Sequence, residues 1–472
     1  MNRRSFVKNV STGAAGLYIV PAHVLGGKHV PPSDTVYLAA FGVGGRGSNV
    51  ISALDDTKRV KFVALCDVDD VRAADTYANF PESKRYSNFR AVYDNHLNEI
   101  DGIMVATPDH THASIAIPFM MEGKHAYVEK PLTHNIREAR LMQEIAAEKN
   151  LVTQMGNQGS SGDGIRTLTE WMESGVLGKV NRVDCWTNRP VWPQGLGLDV
   201  EKQEIPESLN WDQWLGPAAM RPYNRAYLPF RWRGWWDFGT GALGDMGCHI
   251  LESPFKSLGL GYPLEAEASC TTVWSGDFVE SPRTDGCPPS SVVRLKFRSE
   301  MHGEVEVNWY DGGILPEIPE LLSPEETIGD PAGGSIFYGE KGVAVSDTYS
   351  RNPRILKAYQ NSVGDFPKRY IKRQKEDHAR NWINGILKGG DTSSPFSYGG
   401  KLTEAVLMGN LAIRSFQYKV LEEGKNRDYY TYPGRKKLIW DGEAMRVVNF
   451  EKANEWVHGS YRDGWKLGTS LT

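Results

Sequence analysis

Lys130, in the run Glu129-Lys130-Pro131, and the pair Asp245 and His249 are the side chains of this sequence best equipped to move protons. An ammonium group stabilises negative charge developing on an oxygen, and an imidazole titrates near neutral pH. Asp245 and His249 are four residues apart, so on a helix they share a face and can meet one hydroxyl or each other. Some eighty residues before Lys130 lies Gly42-Val43-Gly44-Gly45-Arg46-Gly47, where Gly42, Gly44 and Gly47 fit the spacing G-x-G-x-x-G. Together these features suit oxidation of a secondary alcohol, which takes a hydride from carbon and a proton from oxygen.

The glycine spacing alone is a weak signal, but its surroundings complete it. A strand is expected over 36–41, a helix over 47–54, and Asp67 lies twenty residues past Gly47. The first glycine permits a tight turn and the second lets a pyrophosphate approach the backbone. The third lets the helix pack closely, with its first amides under the negative charge. Asp67 would accept hydrogen bonds from ribose hydroxyls and repel a 2′-phosphate, so NAD is the expected cofactor. Arg46 keeps NADP open, since a guanidinium there could meet that phosphate or the pyrophosphate.

On the substrate side, Asn157 and Gln158 follow the last strand of this first region, where a domain junction would form a cleft. Arg231, Arg233, Trp235 and Trp236 fall just upstream of Asp245, and amides, guanidinium and indole together suit a polyol. Eight of the 14 tryptophans lie between Trp171 and Trp236, as in a cleft that stacks on sugar faces; core filling is the plainer explanation. A lysine before proline is usually a solvated strand end, and a lone acid–histidine pair a surface contact. Their order behind a dinucleotide turn favours chemistry. Asp245 with His249, His110 and His112 lacks any H-x-x-x-H or cysteine spacing, so no metal is expected.

The elements that must hold these groups alternate strand and helix: strands at 36–41, 60–66, 102–106, 125–128 and 151–155, helices at 47–54, 113–121 and from Ile136 onward. Asn135 and Glu138 offer that last helix a capping box. Such alternation predicts an α/β protein with an N-terminal Rossmann domain, a doubly wound parallel sheet, over residues 33–155. Residues 156–472 predict a second α/β domain with a large, open, mainly antiparallel sheet, including strands at 180–187, 292–297, 303–309 and 342–346. Helices are expected at 164–173, 375–387 and 402–418, and an exposed insertion at 316–331.

The chain has 472 residues and a formal net charge of -4, which speaks against a nucleic-acid partner. Its five cysteines form no C-x-x-C, so neither a metal cluster nor a disulfide scaffold is expected. Residues 1–32 begin with Arg3-Arg4-Ser5-Phe6-Val7-Lys8 and continue with an interrupted apolar run from Val10 to Leu25. This pattern resembles a twin-arginine export signal and linker, too short to anchor in a membrane. A periplasmic protein exported folded, with a tightly held cofactor, is the expectation.

Ala106-Thr107-Pro108-Asp109-His110-Thr111-His112, then Glu129-Lys130-Pro131, then Gly244-Asp245-Met246-Gly247-Cys248-His249 resemble the Gfo/Idh/MocA oxidoreductase family. Trp235-Trp236-Asp237-Phe238-Gly239-Thr240-Gly241 resembles its secreted bacterial branch. The resemblance implies that Lys130 is the catalytic lysine, completed by Asp245 and His249. It implies that Thr107 and Pro108 line the nicotinamide side, with Glu129 near the nicotinamide ribose and His112 at the family's usual histidine. Where many members have Asn, this chain has Asp109. A homodimer or homotetramer paired through the open sheet is also implied. The activity to expect is NAD(P)-dependent oxidation of a ring hydroxyl of a sugar, glycoside or cyclitol, with C3 of a glycoside the most specific version. Two alternatives stand beside it: an NAD-dependent glycosidase working by oxidation, elimination and hydration, and a non-catalytic sugar-binding protein.

Overall fold

The computed structural model describes residues 34–195, 201–422 and 430–467; the expected export signal lies outside them. Apolar runs become buried parallel strands: β1 (Val36–Phe41), β2 (Val60–Cys66), β3 (Lys84–Tyr86), β4 (Gly102–Val105), β5 (His125–Val128) and β6 (Thr153–Met155). They form one sheet in the order β3-β2-β1-β4-β5-β6, every neighbour parallel. Helices α1 (Arg46–Asp55), α2 (Asp70–Asn79), α3 (Phe89–His96), α4 (His112–Met121) and α5 (Ile136–Glu148) connect them. This is the predicted doubly wound sheet. Its order reverses between β1 and β4, and the crevice outside the carboxyl ends there is where ligands bind in such sheets.

Local chemistry explains the boundaries. Asn135 accepts the Glu138 amide at 3.0 Å, and the Glu138 carboxylate accepts the Asn135 amide at 3.3 Å, so the predicted capping box opens α5. Asp69 caps α2 by accepting from Val71 and Arg72. Neither α2, α3 nor β3 was expected from the sequence: β3 is three residues long and mostly exposed, without an apolar pattern.

A second, mixed sheet follows α6 (Asp163–Glu173). Its strands are β7 (Val180–Thr187), β8 (Glu265–Cys270), β9 (Ser291–Ser299), β10 (Gly303–Tyr310), β11 (Gly333–Gly339), β12 (Gly342–Asp347), β13 (Arg351–Ile355), β14 (Leu438–Asp441) and β15 (Arg446–Val447). The order is β13-β12-β11-β7-β10-β9-β8-β14-β15, and only β7 with β10 pairs in parallel. Val293, Leu295 and Phe297 of β9 are buried, while Arg294 and Arg298 are exposed, as one covered face requires. Two consecutive helices, α7 (Gly241–Ile250) and α8 (Glu252–Ser257), lie on the covered side.

Two late helices tie the sheets together. Helix α9 (His378–Lys388) returns to pack on α1 and β1, placing Trp382 and Ile383 in one core with Leu38, Ile51 and Tyr127. Helix α10 (Phe396–Gln417) runs beneath α5, α7, β8 and β9. It starts six residues earlier than the sequence suggests and takes in Gly399 and Gly400. These allow close approach: a Cβ there would lie 3.0 Å from Met155 and 2.4 Å from Gln143. No helix among the described residues is long and apolar enough to cross a membrane.

Trp382 is fully buried, so Trp382→Ala is expected to cost about 3–5 kcal/mol in urea unfolding. A loss below about 1 kcal/mol would contradict the packing of α9 on the first sheet.

Candidate active site

Each loop that leaves the carboxyl end of β1, β4, β5 or β6 delivers a side chain to one cleft of about 480 Å³. The turn after β1 holds Gly42 at φ +72°, a conformation that favours glycine. A Cβ on Gly47 would lie 1.7 Å from the Gly42 carbonyl, so only glycine lets α1 start this close to the strand. The first amides of a helix have no intrahelical partner and suit an anion; in α1 the Gly47 amide donates to the Gly44 carbonyl at 3.1 Å. Gly44 departs from its expected part, because its amide donates to Asp67 Oδ2 at 2.9 Å. Burial pushes the Asp67 carboxyl up, against hydrogen bonds from the Gly44 and Asp69 amides.

The sequence reading missed Arg72. Its carbonyl lies 2.8 Å from where a Gly44 Cβ would be, and its Nη2 lies 2.5 Å from that of Gly45. A cation therefore lies against the glycine turn, near Asp67. Arg46 turns the other way and donates to Glu129 at 3.1 Å, and Gln158 donates to the same oxygen at 3.3 Å. The 2′-phosphate contact considered for Arg46 is thus a better fit to Arg72.

Thr107 and Pro108 line the cleft beyond β4. His112 does not. One ring nitrogen faces the Pro131 carbonyl at 2.9 Å and the other the Thr107 carbonyl at 2.9 Å. It ties the β4 and β5 loops together from below, which corrects its placement among direct cofactor contacts. Asp109 accepts from Thr240 at 2.6 Å, at the start of α7. His110 is fixed between the Phe238 and Trp214 carbonyls, and burial lowers its pKa to about 3.

Lys130 and Asp245 meet directly. The ammonium donates to the Asp245 carbonyl at 2.6 Å and to its carboxylate at 3.1 Å. Arg233 Nε reaches the same carboxylate oxygen at 2.9 Å, and Arg189 Nε lies 3.6 Å from the other. Although burial opposes ionisation, Lys130 and Arg233 hold the Asp245 carboxyl well below the usual carboxylate range. One turn later on α7, His249 also lines the cleft. Burial and then the Lys130 charge push its pKa well below the ordinary value, so the ring is neutral at pH 7. Its Nδ1 is buried without a hydrogen-bond partner among the described residues. The Tyr349 ring packs on it at 4.6 Å, from a backbone held at φ 63°. The sequence offered no signal for Tyr349 or Arg189.

The expected substrate contacts divide. Gln158 lines the cleft, but Asn157 is fully buried beneath it. Arg231 is exposed and does not line the cleft, whereas Arg233, two residues on, does. Trp235 and Trp236 are buried in packing, with indole donors on the Ala226 carbonyl and Gln417. Phe230, Trp232, Trp214 and Gln213 line the cleft instead. All five cysteines are free, and burial pushes the Cys248 thiol up to about 12, as for a structural thiol.

Residues 37–157 match a family model described as an oxidoreductase family with an NAD-binding Rossmann fold, and residues 163–261 match that family's C-terminal alpha/beta domain. A glycosyl hydrolase family 109 protein of Shewanella pealeana is 32% identical over 160 residues, covering 29% of this chain and 35% of the relative. A levoglucosan dehydrogenase of Pseudarthrobacter phenanthrenivorans is 25% identical over 181 residues, 38% of each chain. The chain thus spans little more than a third of the length of either relative. Among solved structures, the WlbA dehydrogenase from Bordetella pertussis, in complex with NADH and UDP-GlcNAcA, is similar with a TM-score of 0.51. It is 16% identical, with 80% of this chain and 96% of that one covered. That likeness is one of fold.

Just past His249, Glu252 is fully buried against Ser160 and Lys256, and burial pushes its pKa up to about 7. The folded state therefore keeps a proton that the unfolded chain releases near pH 4.5, and Glu252 lowers stability as pH rises from there to about 7. Glu252→Gln removes that contribution. Between pH 5 and 7.5 the variant should gain on the parent by roughly 1–3 kcal/mol in denaturant unfolding. Parallel pH profiles would contradict a buried neutral acid.

Proposed function

We propose that this chain, which belongs to the Gfo/Idh/MocA oxidoreductase family, is an NAD-dependent dehydrogenase acting on a ring hydroxyl of a sugar, glycoside or cyclitol. One observation carries the reading: the Lys130 ammonium, the neutral His249 imidazole and the glycine turn open on the same cleft. Bound NAD would supply the hydride acceptor. The fold offers it the tight turn at Gly42, the close helix start at Gly47, Asp67 for the ribose hydroxyls and Arg72 for negative charge. The Glu129 and Arg46 pair sits toward the other end, beside Lys130.

The chain's own groups then handle the proton. Lys130 donates a hydrogen bond to the alcohol oxygen and stabilises charge developing there. His249, already neutral, takes the hydroxyl proton. Asp245 aims the Lys130 side chain by accepting its hydrogen bonds on carbonyl and carboxylate. The levoglucosan dehydrogenase among the relatives supports a sugar substrate, and C3 of a glycoside remains the most specific version. The arginine pair at residues 3 and 4 supports export to the periplasm with the cofactor already loaded. Pairing of subunits through the exposed face of the second sheet belongs to the same proposal.

A second reading is favoured by the family 109 relative and by Tyr349. A glycosidase that oxidises, eliminates, hydrates and reduces needs a further proton-transfer group, and the Tyr349 phenol lines the cleft beside His249. Product analysis separates the two: free ketosugar with NADH indicates the dehydrogenase, hydrolysed sugar without net NADH the glycosidase.

Lys130→Met is expected to lower kcat/KM for sugar oxidation by about 10²- to 10³-fold, read as reduced-nicotinamide absorbance; unchanged turnover would remove Lys130 from the chemistry. The pH profile should place the acid limb of kcat/KM below 6.5, because the His249 base is protonated only beneath its lowered pKa. A limb at or above pH 7 would contradict a neutral imidazole base.

A further inference from the structure

Three cations crowd one carboxylate at the substrate end of the cleft. Asp245 faces Lys130 at 3.1 Å, Arg233 at 2.9 Å and Arg189 at 3.6 Å. The other acids of the lining are engaged elsewhere. Glu129 pairs with Arg46, Asp109 holds Thr240, and Asp67 and Asp69 accept backbone amides around the glycine turn and α2. Locally, then, one negative charge meets three positive charges. The side chains of Lys130, Arg189 and Arg233 are 12%, 25% and 18% exposed, so solvent screens this excess only in part.

The arginines are also shaped for a ligand. Arg233 is held between the rings of Phe230 and Trp232, 4.3 and 4.2 Å from its guanidinium carbon, which fixes the direction of its donors. It uses Nε on Asp245 and Nη1 on the Phe230 carbonyl; Arg189 uses Nη1 on Asn188. The Nη2 donors of both have no hydrogen-bond partner among the described residues, although both side chains line the cleft. Two guanidinium edges beside surplus positive charge match a planar or tetrahedral oxyanion better than a neutral hydroxyl.

We infer that the sugar carries an anionic group, the carboxylate of a uronosyl unit or a sulfate ester, bound between Arg189 and Arg233 beside the hydroxyl that Lys130 and His249 address. This rests on the dehydrogenase reading for its chemistry but not for its binding. The test compares 4-nitrophenyl α- and β-D-glucuronides, the matching glucosides and the 6-O-sulfated glucosides as substrates of the NAD-loaded protein. In parallel, D-glucuronate, glucose 6-sulfate and glucose are titrated into the same protein and followed by melting temperature. An anionic sugar should be preferred at least tenfold over its neutral partner, with the glucuronide and sulfate arms deciding the source. Arg189→Gln should reduce that preference to near unity, and Arg189→Lys should restore part of it.

Neutral sugars oxidised and bound as well as anionic ones would overturn the inference while leaving the dehydrogenase standing. Anionic sugars bound selectively without any oxidation would support the inference and reject the dehydrogenase. A preference that survives Arg189→Gln overturns the assignment of the anion to that residue.

Discussion

The contact between Lys130 and Asp245 is the constraint around which the cleft is built. Lys130 stands at the carboxyl end of β5, and Asp245 on a helix of the second layer. Two hydrogen bonds, to the carbonyl and to the carboxylate, join them. A charge this far from water needs a partner, and a buried ion pair adds little net stability because desolvation offsets the attraction. Its consequence is positional. It sets where the ammonium points, and its positive charge helps keep His249 neutral one turn away.

The rest of the molecule holds that contact in place. Below, His112 ties the loops after β4 and β5. Asp109 reaches across to Thr240 at the start of α7, and Asn410 of α10 holds the Thr240 carbonyl at 2.9 Å. Above, Trp211, Trp214, Tyr227, Trp235 and Phe238 form a separate aromatic core. That core gives an otherwise irregular segment a rigid shape, and it carries Phe230, Trp232 and Arg233 to the cleft rim. Most tryptophans of the cluster therefore serve packing, and only Trp214 and Trp232 of this group line the cleft.

Legibility in the sequence followed the physics of each element. Continuous apolar runs such as 36–41 and 60–66 have no stable place except a buried strand, and alternation in 291–299 marks one covered face. The strand 333–339 was hidden by its three glycines, and α2 by a polar surface. Of the residues read from strand ends, Gly42, Gly44, Asp67, Thr107, Pro108, Glu129, Lys130 and Gln158 line one cleft. Around Arg231 a short 3-10 turn decides which side chain faces in, and no periodicity reveals its phase. Of the four residues expected there, Arg231, Arg233, Trp235 and Trp236, Arg233 lines the cleft, and Trp232 takes the place expected for the other indoles. Arg72, Arg189 and Tyr349 arrive through long-range folding, Tyr349 from a left-handed backbone that no local pattern announces.

The central claim is that the ammonium and imidazole serve one alcohol whose carbon gives up a hydride beside them. The most direct measurement is a single turnover of the NAD-loaded protein with a sugar deuterated at the reacting ring carbon, followed by mass analysis of cofactor and sugar. The account predicts that deuterium moves to the nicotinamide, and that this transfer fails when His249 is replaced by Ala. Deuterium retained on the sugar while product forms, or transfer undiminished without His249, would contradict it.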